Sequence, residues 1–152
     1  MSEIKNIIND ILKRVSGVIG VILVDIDGIP IEVVGSFDMN KEDLGALLAA
    51  CYNSYAQVGL DLGQTLESII VEFKELKLCQ TSMPRGLLTV IANKDSYLGI
   101  IRLESKRAIE KLSKIMSDTQ DIRYKLMEEH KFRWPSDKTI DEILFEFKKD
   151  LE

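Results

Sequence analysis

LGALLAACYNSYAQVGL, residues 44–60, carries no charged side chain in a chain where 30% of residues are Asp, Glu, Lys or Arg. Its length and its apolar spacing predict a helix. Leu44, Leu47, Leu48, Cys51, Tyr55, Val58 and, just beyond, Leu62 form a bulky apolar stripe that suits a sheet. The other side holds Ala46, Ala49, Asn53, Ala56, Gln57 and Leu60. A surface helix ordinarily carries charge there. Small neutral side chains instead let a second helix approach closely, and exposed apolar area of this kind marks a contact site. The other reading is a helix packed on both faces within one domain.

Upstream, residues 2–15 alternate Ile4, Ile7, Ile8, Ile11, Leu12 and Val15 with Lys, Asn, Asp and Arg, the pattern of an amphipathic helix capped by Ser2 and ended by Gly17. VIGVILVD (18–25) is a β-branched run without polar alternation, which predicts a strand covered on both faces. Asp27-Gly28 predicts a hairpin into a second strand, residues 29–34. Pro30 cannot donate a ladder hydrogen bond, so that strand belongs at an edge or has Pro30 near its start. Asp38 or Asn40 then caps the uncharged helix, which closes near Gly63.

Downstream come three strands, residues 66–74, 76–83 and 87–92, separated by Glu75 and by Pro84-Arg85-Gly86. A helix follows from about Leu98, with Ile101, Ala108, Leu112, Ile115 and Met116 on one stripe and paired charges on the other, continuing to about Glu129. HKFRWP (130–135) reads as a linker, stopped by Pro135. A last amphipathic helix over 137–151 sets Ile140, Ile143, Leu144, Phe147 and Leu151 on one side. The short links require antiparallel pairing. The expected fold is an α/β/α sandwich: a five-stranded antiparallel sheet, plus a C-terminal helix. The expected domains are 1–116, a helical extension and hinge over 117–135, and the terminal helix over 136–152.

The composition narrows the chemistry. A net charge of −5 argues against a nucleic-acid binder. Cys51 and Cys79 lie in apolar runs without a CxxC or a neighbouring His, which predicts buried free thiols, no zinc site and a cytoplasmic location. The opening MSEIKNIIND is not a signal peptide, and no apolar run is long enough to insert into a membrane. There is no phosphate-binding glycine loop and no nucleophile elbow, so neither a cofactor nor a catalytic residue is expected. Asp25 and Asp27 are explained by the turn. His130 reads as a solvated linker residue. Arg85 and Arg102 read as surface charges, with an arginine-finger role as the sharper alternative. Trp134, amid Lys131, Phe132 and Arg133, suits a docking anchor.

The helix–strand–Asp-Gly–strand opening, the alanine-rich helix, and Asn93-Lys94-x-Ser96-x-Leu98-Gly99-Ile100-Ile101-Arg102-Leu103 resemble the roadblock/dynein-light-chain family, and within it the MglB-type regulators of small GTPases. Ser136-Asp137-x-x-Ile140-Asp141, followed by Ile143, Leu144 and Phe145, is similar to their short terminal helix. The resemblance covers residues 3–116 and this tail. It implies a profilin-like sandwich and a homodimer in which residues 42–62 and the strand at 66–74 meet their mates. That dimer would be a platform for a Ras-like, MglA-like GTPase, modulating its hydrolysis or exchange. A scaffold without effect on nucleotide is the alternative. The expected dimer contacts are Ala46, Ala49, Asn53, Ala56, Gln57, Leu60, Ile69 and Val71. The expected partner contacts are Trp134, Ile140, Ile143, Leu144 and Phe147. The first and last core helices have charged outer faces and cannot cover the alanine face, which leaves that face open to a partner.

Overall fold

The computed structural model describes the backbone of residues 2–131 and the side-chain surroundings of residues 3–116. The elements run α1 (Ser2–Arg14), β1 (Val18–Asp25), β2 (Pro30–Gly35), α2 (Lys41–Asp61), β3 (Ser68–Glu72), β4 (Leu76–Met83), β5 (Gly86–Asn93) and α3 (Leu98–Lys131). The sheet order is β2-β1-β5-β4-β3, antiparallel throughout. Internal contacts divide the chain into two compact units, Met1–Ile115 and Met116–Glu152. Helix α3 continues through His130 and Lys131, two residues into the stretch expected to be a linker. The terminal helix expected over 136–152 lies outside the described residues.

Each turn follows from its residues. Asp25 Oδ1 accepts from the backbone N–H groups of Asp27 and Ile29 at 2.9 and 3.0 Å, which folds the β1–β2 hairpin and occupies that carboxylate structurally. Pro30 opens β2, an outer strand of the sheet, where its missing donor costs no interior ladder bond. Asn40 Oδ1 caps α2 by accepting from Glu42 and Asp43 N–H. The far end of α2 closes in a Schellman arrangement. Gln64 N–H donates to Gly59 O at 2.8 Å, Gly63 N–H donates to Leu60 O at 3.0 Å, and Gly63 takes the left-handed φ of 72° that this motif requires.

Strand β1 is covered on both faces, with Val21 through Val24 fully buried. Ile22, Val24 and Leu87 meet Leu48 and Tyr52 of α2, with Leu44, Ala56, Leu66, Ile69 and Leu78 packed at the margin. Gln80, buried on the same face, donates to Leu48 O and to Thr89 Oγ1 and ties β4 to the helix. Strand alternation places Val21, Leu23, Leu88, Val90 and Cys79 on the opposite face, under α1 and α3. Those two helices are joined by Glu104, which pairs with Arg14 at 3.8 Å and Arg107 at 3.1 Å.

Candidate functional site

The inner face of α2 differs from the sequence expectation. Gly45, Leu48, Ala49 and Tyr52 are buried, and Ala56 and Gly59 are half-buried. The reason is a close approach between α2 and the β1–β2 turn. A Cβ on Gly45 would stand 2.7 Å from Gly28 O, and one on Gly28 would stand 3.1 Å from the Ala49 Cβ. The small side chains therefore serve packing inside the domain. Tyr52 fits because its hydroxyl donates to Leu66 O at 3.2 Å. Ala49, expected at a seam between copies, is 7% exposed and belongs to the core. Ala56 packs against the same cluster.

The stripe expected to meet the sheet is largely outside. Leu47, Tyr55, Val58 and Leu62 are each more than half exposed, and Cys51 is exposed rather than buried. Ala46, Asn53, Gln57 and Leu60 are exposed too, as expected. The outer face of α2 is thus uncharged from Leu44 to Leu60, with Leu47, Ala50, Cys51, Ser54 and Val58 along its middle. Ile69 and Val71 lie half-buried on β3, which has no neighbouring strand on its outer side among the described residues. Phe73, just past its end, is exposed. The fold thus sets an apolar helix face over one side of the sheet and an open strand edge at its margin. Composition alone did not separate the faces; the repeat Gly45, Ala49, Tyr52, Ala56, Gly59, with glycine at both ends, is the signal that does.

The other residues singled out in the sequence do not converge. Arg85 sits at the β4–β5 turn with a left-handed φ of 70°, and Arg102 lies on α3 within electrostatic reach of Cys79. Burial pushes the Cys79 thiol up, opposed by a hydrogen bond with Thr81 and by the Arg102 charge. Trp134, Ile140, Ile143, Leu144 and Phe147 lie outside the described residues.

The Asn93–Tyr97 loop borders an open cleft of about 300 Å³ with Ser16, Gly17 and Glu75. Several of its polar groups are engaged. Ser96 Oγ donates to Ser16 O, Lys77 Nζ donates to Ser96 O, Asn93 N–H donates to Gly17 O, and Lys94 pairs with Glu75. The Asn93-Lys94-x-Ser96 motif ties this loop to the α1–β1 turn through Asn93 and Ser96 and to the β3–β4 turn through Lys94.

Comparison with known proteins agrees with this architecture. The family described as "mitogen-activated protein kinase kinase 1 interacting" matches residues 2–119. An uncharacterized protein of Methanocaldococcus jannaschii is 31% identical over 104 residues, spanning 66% of this chain and 90% of its own. Among solved structures, Myxococcus xanthus MglB superposes with a TM-score of 0.74 at 24% identity, covering 78% of this chain and 98% of that one. A Roadblock/LC7 domain from Streptomyces avermitilis gives 0.70 at 16% identity, covering 74% and 97%. The fold is the roadblock fold, as the sequence resemblance implied.

Proposed function

The chain belongs to the family described as mitogen-activated protein kinase kinase 1 interacting, and from that premise we propose that it is a self-associating platform for a Ras-like small GTPase. The observation that carries the reading is the exposed, uncharged outer face of α2 beside the open edge of β3. A face this apolar is stable in water when covered. A two-fold contact covers it with its own copy, α2 against α2, while β3 edges pair and extend the sheet. Leu47, Cys51, Tyr55, Val58 and Leu62 join Ala46, Asn53, Gln57, Leu60, Ile69 and Val71 in that contact. A family described by an interaction partner suits a docking surface better than a reaction centre.

The GTPase half of the reading rests on the likeness to MglB-type regulators. The platform works in the cytoplasm. Residues 1–116 are the platform domain, 117–135 the extension and hinge, and 136–152 the segment whose Ile140, Ile143, Leu144 and Phe147, with Trp134 ahead of them, engage the partner.

The test is chromatography with light scattering on this protein mixed with a Ras-like GTPase of the same genome, in GDP and GTP-analogue forms. GTP turnover is followed across a titration in parallel. A complex of two copies with the GTPase supports the reading. Binding with unchanged turnover leaves a scaffold without effect on nucleotide. Absence of binding in both nucleotide states contradicts the GTPase reading.

A further inference from the structure

The opposite side of the sheet carries a second, chemically different surface. The α1/α3 layer holds Lys5, Lys13 and Arg14 on α1, and Arg102, Lys106, Arg107, Lys111 and Lys114 on the first half of α3. Against these eight cations stand four carboxylates, Glu3, Asp10, Glu104 and Glu110. The chain as a whole has a net charge of −5, so this layer is positive on an acidic protein. Glu104 is committed to Arg14 and Arg107. Lys106, Lys111 and Lys114 make no ion pair with any described residue. Beside them, Tyr97, Ile100 and Leu103, at a spacing of three, are 76%, 45% and 49% exposed.

We infer that this layer docks on an anionic bilayer surface, with Tyr97, Ile100 and Leu103 at headgroup depth and Lys106, Lys111 and Lys114 against the lipid charges. A basic helix face with exposed apolar anchors has this character. Two features favour lipid over an acidic protein. The groove between α1 and α3 encloses only about 10 Å³, too little to seat a partner's side chain, and the larger cleft beside Tyr97 is bordered by Glu75 and Asp95, which disfavour an acidic side chain there. Apart from Arg102, the cations of this layer without an ion pair to a described residue are lysines, which protein interfaces deplete and which suit a fluid, delocalised field of charge. Contact is peripheral: among the described residues no helix is long and apolar enough to cross a membrane. The surface lies across the sheet from the outer face of α2, so docking here is separable from the self-association proposed above.

The test is co-sedimentation of the full chain with vesicles of phosphatidylcholine alone and of phosphatidylcholine with phosphatidylserine. The expected result is binding to the second only, lost at about 0.5 M salt. Each lysine near such a surface is worth about fivefold in partition. The triple variant Lys106→Gln/Lys111→Gln/Lys114→Gln therefore binds about a hundredfold more weakly. Ile100→Ser/Leu103→Ser weakens binding at unchanged salt dependence. Circular dichroism of both variants matches the parent, since every altered residue is exposed or half-exposed. No binding to phosphatidylserine vesicles, or equal binding by the lysine variant, overturns the inference. Binding of soluble polyglutamate without vesicle binding overturns it too and assigns the face to an acidic protein.

Discussion

At the scale of the residue, the decisive contact is Gly45 against Gly28. Because the Cβ of any larger side chain at 45 would meet a backbone oxygen at 2.7 Å, Gly45→Ala forces α2 off the hairpin. The expected cost is about 1–3 kcal/mol, read as a lower urea midpoint. A loss under about 0.5 kcal/mol would mean that the helix does not approach this closely. The sequence showed Gly45 only as a weak helix former within an apolar run; its partner is seventeen residues away, and no local pattern announces that contact. The turns were legible because their chemistry is local. Asp25, Asn40 and Gly63 each act within four residues.

Cys79 supplies a pH dependence. Its thiol is raised in the folded state, chiefly by burial, from a reference value of 9.0. A group raised on folding contributes stability below its unfolded pKa and loses it as pH rises from there. The protein should therefore lose stability above about pH 9, where unfolded Cys79 ionises and folded Cys79 does not. In Cys79→Ala this part of the slope disappears, which urea midpoints at pH 8, 9 and 10 on both proteins would reveal; identical slopes would refute it.

At the scale of the element, α2 shows what periodicity resolves and what it leaves open. Helix, boundaries and both caps followed from the residues, and so did the five strands and their edge proline. The orientation did not, because Leu and Ala both count as apolar and the helix has no charged stripe to mark its outside. Burial followed size complementarity with the hairpin instead of bulk. Two substitutions separate the faces. Ala49→Arg buries an unpaired charge and should cost the fold several kcal/mol. Val58→Arg puts the same side chain on the outer face and should leave the unfolding free energy within about 0.5 kcal/mol of the parent's, both measured at concentrations low enough to be monomeric. Equal destabilisation by both would return α2 to the orientation its leucines suggest.

At the scale of the molecule, the roadblock sandwich divides its labour by side. Charged helices α1 and α3 cover one face of the sheet, and an uncharged helix covers the other with an open strand edge beside it. The order of elements was enough to reach that layering. The contacts of the last twenty-one residues rest on the sequence alone, and they carry their own prediction. Removing residues 132–152 should leave the fold and self-association unchanged while weakening GTPase binding, measured by titration against the full chain. Loss of folding on that truncation would make the segment part of the core.

As the seam between two copies, the outer face of α2 should set the protein's state of association. Sedimentation velocity of the parent and of Val58→Arg at equal micromolar concentration tests it most directly. A dimer is expected for the parent and a folded monomer for the variant. A monomeric parent, or a variant that remains dimeric, would contradict it.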